Sequence, residues 1–175
     1  MFFNKKKKKA VLNTATLMNR NDFDSAVNNL LDDAESIIPK EDLPPLPFMK
    51  QAPEVHDWYD FEHLLWKKGE EIRGLIVKEH KDLNKEQSSR VCDICLNKNA
   101  KRGRQSFVML LGKNRYNEYA DKVVGLLSDE DVDGHVISTL YKMGTTEYQE
   151  FVKPFLNSKY AWIRNEAKRY INRCN

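Results

Sequence analysis

Two cysteines three positions apart, in Cys92-Asp93-Ile94-Cys95, are the residues with the most obvious capacity for chemistry in this chain. Thiolates at that spacing supply half of a tetrahedral zinc site, or form a redox pair at the start of a helix that follows a strand. No second pair of this kind occurs, and Cys174 and His80 lie too far along the chain to complete a site by spacing. No strand pattern precedes the motif, which removes the redox context. On a helix, Cys92 and Cys95 share a face with Val91 and Leu96, so they read as small core hydrophobes.

His56, Asp60 and His63 recur at helical spacing and offer two imidazoles and a carboxylate, a set suited to a divalent metal. Their face also carries Lys67 and lies opposite Trp58, Phe61 and Leu65, which predicts a solvated stripe. His135 has no evident partner. Gly112-Lys113 lacks the earlier glycine of a phosphate-binding loop, and no G-x-S-x-G, H-E-x-x-H or paired-acid pattern occurs. The reading nominates no catalytic residue, no metal and no cofactor.

A basic cluster has more substance. Lys101, Arg102, Arg104 and Lys113, with Lys98 and Arg115 beside them, are candidate phosphate contacts, and Tyr116 and Tyr119 are candidate stacking surfaces. Against this, Glu118, Asp121, Asp129, Glu130 and Asp131 dilute the field, and basic residues at helix ends also offset the helix dipole. The run Lys5–Lys9 has no long apolar stretch after it, so it is neither a signal peptide nor a membrane span. It reads as a solvated tail over residues 1–20; the sharper alternative is a tether to anionic lipid or nucleic acid.

The bulk composition frames these residues. In 175 residues, 41% are hydrophobic and 31% charged, with a net charge of +3. That supplies a core under a well-solvated surface but only a weak basic bias. Three cysteines and no export signal fit a reducing cytoplasm.

The spacing predicts an all-helical protein. A first helix spans 21–38, capped by Asp22, with Phe23, Val27, Leu30 or Leu31, Ala34 and Ile38 inward. Pro44, Pro45, Pro47 and Pro53 forbid helix over 39–56 and predict an extended strap laid on the body, since Leu43, Leu46, Phe48 and Met49 favour burial. A long helix follows over 57–80. Its two apolar stripes, Trp58/Phe61/Leu65/Ile72/Ile76 and Tyr59/Trp66/Val77, predict packing on two sides. A further helix covers 83–99, with Val91, Cys92, Cys95 and Leu96 inward.

Beyond residue 100 the chain repeats itself. Glu118, Tyr119, Val123, Leu126 and Leu127 match Glu147, Tyr148, Val152, Phe155 and Leu156, each pair offset by 29 positions. Val132, Val136, Leu140 and Met143 match Ile163, Ala167, Ile171 and Cys174 at a constant offset of 31. Gly112 and Gly144 each close a helix, and Ser128–Asp131 and Asn157–Tyr160 are the polar turns between units. Such a unit cannot bury its apolar face alone, so stacking follows.

This pattern resembles the HEAT-repeat family over residues 100–175. Arg164, directly after Ile163, looks like the family's arginine that pairs with an acidic turn residue, although Asp133 replaces it in the preceding copy. Pro154 also suits the family. Arg104 falls where Val136 stands, so the 100–112 helix fits loosely.

The resemblance implies an α-α superhelix of antiparallel helical hairpins (HEAT-like or ARM-type) over 57–175, preceded by the helix and the strap. It implies a non-catalytic scaffold that binds a protein or peptide on its second helices. The contact positions would be Arg115, Asn117, Glu118, Asp121 and Lys122, then Thr146, Glu147, Gln149, Glu150 and Lys153. The alternative is a nucleic-acid-binding helical-repeat protein, similar to the HEAT-like DNA glycosylases, with Trp58-Tyr59-Asp60 as its aromatic-acid cluster. The lone helix of the final copy leaves an open face, which points to a homodimer.

Overall fold

The computed structural model describes residues 17–174. The basic run Lys5–Lys9 lies outside them. The described chain is mostly helical, and no described helix is long and apolar enough to cross a membrane.

Helix α1 (Arg20–Ile37) begins at Asn19, whose side-chain Oδ1 accepts from the Asp22 amide at 2.9 Å. Asn19 rather than Asp22 is therefore the cap, because the chain turns helical earlier than the apolar stripe suggests. Phe23, Val27, Leu31 and Ala34 are buried as expected, and Leu30 is half-buried.

The proline-rich strap is not uniformly extended. Phe48–Met49 (β1) and Ala52–His56 (β2) pair as a small antiparallel hairpin with a register irregularity, which the sequence did not signal. Pro47 and Pro53 flank or occupy it at positions where a lost N–H is tolerated. The strap is fastened mainly by polar contacts. Asn99 Nδ2 donates to the carbonyls of Pro39 and Lys40, both at 3.0 Å, and the Tyr59 hydroxyl donates to Pro44 O at 2.6 Å. Phe48 remains exposed and stacks on His56.

Helix α2 (Asp60–Glu79) packs against α1 and buries Leu65, Ile72 and Ile76. Packing on two sides is not what the second stripe achieves. Trp66 is 37% and Val77 65% exposed, on the flank beyond Gly69. Helix α3 (Lys85–Leu96) opens with a reciprocal cap in which Asn84 and Gln87 each bond the other's backbone amide. Its Val91, Cys92 and Cys95 are buried, whereas Leu96 stays partly exposed at the helix end.

A single helix over 100–112 does not form. The segment is a 3-10 turn (Lys98–Arg104) followed by α4 (Gln105–Leu110), and Lys101, at φ 45°, breaks the run. The break lets Gly103 approach α2 so closely that a Cβ there would lie 2.9 Å from the Glu62 carbonyl oxygen.

The repeated segments are also more broken than three-turn helices. The first is a 3-10 turn (Asn114–Tyr119), α5 (Ala120–Val124) and a second 3-10 turn (Gly125–Ser128). Its counterpart is α7 (Gln149–Val152) with a 3-10 turn (Lys153–Asn157). Pro154 has no N–H for the preceding turn, which tightens the ladder there. The regular partners are α6 (Asp133–Met143) and α8 (Ala161–Cys174). Gly144 closes α6 in the left-handed region at φ 82°. Gly112 does not adopt that conformation; its missing Cβ instead admits Lys142.

Two sets of contacts order these elements. Helix α2 packs on α4, α4 on α6 and α6 on α8, while α1 packs on α3 and α3 on α5. In the first set the helices run in one direction. Gly69 of α2 meets Ser106 and Phe107 near the start of α4. Gly112, just past the end of α4, meets Lys142 near the end of α6. Gly134 at the start of α6 meets Trp162 at the start of α8, and Arg173 at the end of α8 donates to the Tyr141 carbonyl near the end of α6. Repeat-equivalent tyrosines tie the second set. The Tyr119 hydroxyl pairs with Ser88 Oγ at 3.0 Å, and the Tyr148 hydroxyl donates to Asp121 at 2.6 Å.

Candidate binding surfaces

Most of the basic cluster chosen from sequence is committed to internal contacts. Arg104 is only 1% exposed and its guanidinium binds Lys101 O at 3.0 Å, Cys95 O at 3.2 Å and the Asp129 carboxylate. The expectation of an exposed Arg104 is corrected: it occupies a core position of the repeat and stitches the turn before α4 to the turn before α6. Arg102 lies over the Trp58 ring at 4.7 Å, donates to Asp57 O and sits 3.6 Å from the Glu62 carboxylate. Lys101 pairs with Asp42 of the strap at 3.0 Å. Lys113 and Arg115 share a single partner, Asp82, one carboxylate against two half-exposed cations.

Glu62 organises this corner. It sits at the third position of α2, where its carboxylate accepts the Tyr59 amide at 2.7 Å and the Arg102 amide at 2.9 Å. The side chain is buried, and the two amides with the nearby guanidinium satisfy it. Above it lies a cleft of about 160 Å³ between the strap and the inter-helix turns, lined by Leu46, Val55, Tyr59, Arg102, Asp131 and Tyr160 among others. Burial, with the neighbouring Asp129 charge, raises the Asp131 pKa. Burial likewise pushes Asp133 up to about 6, against a bond from the Gly134 amide that favours its ionised form.

The residues considered for metal chemistry do not converge. His56 lies on β2 rather than the helix, with Nδ1 2.5 Å from Leu46 O. His63 stacks on Trp58, and Asp60 opens α2. No group of three His, Cys, Asp or Glu is placed to hold a metal ion among the described residues. Cys92 and Cys95 lie in the core, and burial raises both thiols.

The repeat-phase positions stand at the surface. Arg115, Asn117, Glu118, Asp121 and Lys122 are exposed beside α5, and Thr146, Glu147, Glu150 and Lys153 are exposed around α7, with Gln149 half-buried. Asp121 is partly used as the acceptor for Tyr148, and Lys153 bonds Glu150 at 2.5 Å. Phe151, 61% exposed, adds an apolar point to this mixed-charge face. Arg164 turns back to donate to Ser158 O at 2.7 Å and Lys159 O at 3.0 Å, so it holds the turn through carbonyls and not through an acid.

Sequence reasoning missed the groove between α6 and α8. Tyr141 lies beneath two guanidinium groups, Arg169 at 4.7 Å and Arg173 at 4.1 Å from the ring centre. Trp162, 46% exposed, packs on Gly134 and tilts over His135 at 5.3 Å. Burial, with the Lys142 charge, lowers the His135 pKa to about 4. The available signal was the phase of α8: Trp162, Arg169 and Arg173 fall on one line along the helix. Comparison with protein-family models, with curated proteins and with solved structures found no match.

Proposed function

We propose that this chain is a non-catalytic binding scaffold whose helices stack as a HEAT-like superhelix and dock a protein partner. The observation that carries the reading is the common direction of α2, α4, α6 and α8, each packed along the next. Helices translated in this way generate long surfaces that contact a partner over several units, the use to which solenoids are suited. On the other set of elements, Glu118 and Glu147 recur in repeat phase with Asp121, Lys122, Glu150 and Lys153, which makes that face a second candidate contact surface.

The nucleic-acid alternative has weaker support. Its nominated contacts, Lys101, Arg102, Arg104 and Lys113, are paired with Asp42, Glu62, Asp129 and Asp82. Phosphate binding would have to break those pairs before releasing any counterions.

Affinity purification of the full chain from its native cell, after nuclease treatment, tests the reading. A protein recovered in stoichiometric amount, and lost with the double variant Glu118→Arg/Glu147→Arg while the helical circular-dichroism signal is kept, is the expected result. Recovery of nucleic acid as the bound species, with steep salt dependence, contradicts it.

A further inference from the structure

The groove between α6 and α8 differs from the rest of the surface in charge and order. Helix α8 carries Arg164, Lys168, Arg169 and Arg173 against a single acid, Glu166. Glu166 pairs with Arg169 at 2.7 Å and is largely covered. Arg164 is spent on the turn carbonyls. Of the rest, Arg169, bridged to Glu166, and Arg173 border the groove with Tyr141 and Asn172, whereas Lys168, about 100° further round the helix from Arg169, faces away from it.

Two of these cations are held in place before anything binds. Arg169 and Arg173 lie on the Tyr141 ring, and Arg173 is also fixed by the Tyr141 carbonyl. A guanidinium immobilised by stacking retains donors for a second partner and loses less freedom on binding. On the same line of α8, about two turns before Arg169 and three before Arg173, is the half-exposed Trp162. An ordered arginine pair beside a tryptophan is the combination that dominates protein interfaces.

We propose that the α6–α8 groove docks an acidic helical segment of a protein partner, with its carboxylates on Arg169 and Arg173 and an apolar side chain against Trp162. This rests on the scaffold reading and names the chemistry of the partner. Carboxylates at i and i+4 on a helix are about 6 Å apart. Arg169 and Arg173, themselves i and i+4, cover about 6 Å of helix rise, which matches one turn of such a segment. A nucleic acid is a poorer fit. The Tyr141 ring is already occupied by two guanidinium groups, which compete with a base for stacking on it. The cations also form one short cluster, where a phosphate backbone gains affinity from a long track.

The test uses the full chain and two labelled probes followed by fluorescence anisotropy. One is an acetylated, amidated alanine-based helix of about four turns with Glu at every fourth position and one Leu. The other is a single-stranded oligodeoxynucleotide of equal charge. The acidic peptide binds, and its Gln-substituted counterpart does not. Arg169→Glu/Arg173→Glu weakens the peptide at least about tenfold, the size expected for reversing two close charge contacts. Asn172→Glu, at an exposed position that borders the groove with both arginines, weakens it by about threefold or more and guards against a folding artefact. Lys67→Glu/Lys78→Glu, at exposed positions on α2, leaves binding unchanged.

Three outcomes overturn the inference: no peptide binding by the intact chain, equal binding by the Asn172→Glu variant, or tighter binding of the oligonucleotide. Any of these, with a protein still co-purifying from cells, sinks the groove assignment and leaves the scaffold reading standing.

Discussion

Arg104 shows how a residue chosen for one role can be required for another. Its charge made it a phosphate candidate, but its repeat phase, in the place of Val136, already marked a core position. The structure resolves the conflict by burying the guanidinium on two carbonyls and the Asp129 carboxylate. Removing one partner from such an arrangement leaves an uncompensated charge, so Arg104→Ala is expected to cost about 3–5 kcal/mol by urea denaturation. A change below 1 kcal/mol, on the scale of a surface substitution, contradicts the burial.

Asp133 gives the matching pH prediction. Its folded pKa of about 6 lies above the ordinary 3.8, so the protonated form favours the fold. That contribution is complete below about 3.8 and is lost as pH rises through 6. Asp133→Asn keeps an acceptor for the Gly134 amide and removes the charge. It is expected to exceed wild type at pH 7 by about 1 kcal/mol, with the difference closing towards pH 4. His135 acts in the opposite sense. Its neutral ring is buried, so its share of stability falls as pH drops from 6.5 towards 4 in both proteins. A pH-independent difference between wild type and Asp133→Asn rules out the account of Asp133. The burial of Asp133 was not legible in the sequence, although the acids that add to the shift, Glu130, Asp129 and Asp131, are its neighbours in the chain.

At the scale of elements, periodicity located α1, α2, α3, α6 and α8 well, since each buries a continuous stripe. It failed where backbone geometry decides. Lys101 at φ 45° and the missing N–H of Pro154 shorten two elements that hydrophobic spacing alone extends. It also failed for β1 and β2, where prolines masked a hairpin of few residues. The glycines of α2 and α6 carried information that their helix positions concealed, namely close approach to the next helix in the row.

Gly69 tests that approach directly. A Cβ at this position meets Ser106 Oγ and lies 2.7 Å from its Cβ, so Gly69→Ala is expected to destabilise by about 1–3 kcal/mol through overpacking. The Ser106 hydroxyl is buried without a partner, so Ser106→Ala alone should be near neutral or stabilising. In that background Gly69→Ala should cost less, because the nearest atom has gone. Strictly additive effects in the double-mutant cycle would show that the two helices do not meet there.

At the scale of the molecule, the net charge of +3 concealed a segregation of charge. Helix α1 carries Asp22, Asp24, Asp32, Asp33 and Glu35 against Arg20, whereas α8 is basic. Internal pairs, such as Asp33 with Lys68 and Asp32 with Arg90, quench much of the acidic side. The α8 cations have fewer such partners, which is why the groove emerged from coordinates rather than composition. The exposure of the repeat-phase positions at α5 and α7 was legible, because repeat phase assigns exposure without knowledge of the chain's path.

The scaffold reading depends on α2, α4, α6 and α8 running in one direction, which pulsed electron-spin resonance measures most directly. Spin labels are attached in a Cys174→Ser background through pairs drawn from Leu64→Cys, Val77→Cys, Lys142→Cys and Asn165→Cys, all at exposed positions. The parallel row predicts that position 142 lies nearer 77 than 64, and that position 165 lies nearer 64 than 77. Reversal of either order would contradict the stack and, with it, the binding function built upon it.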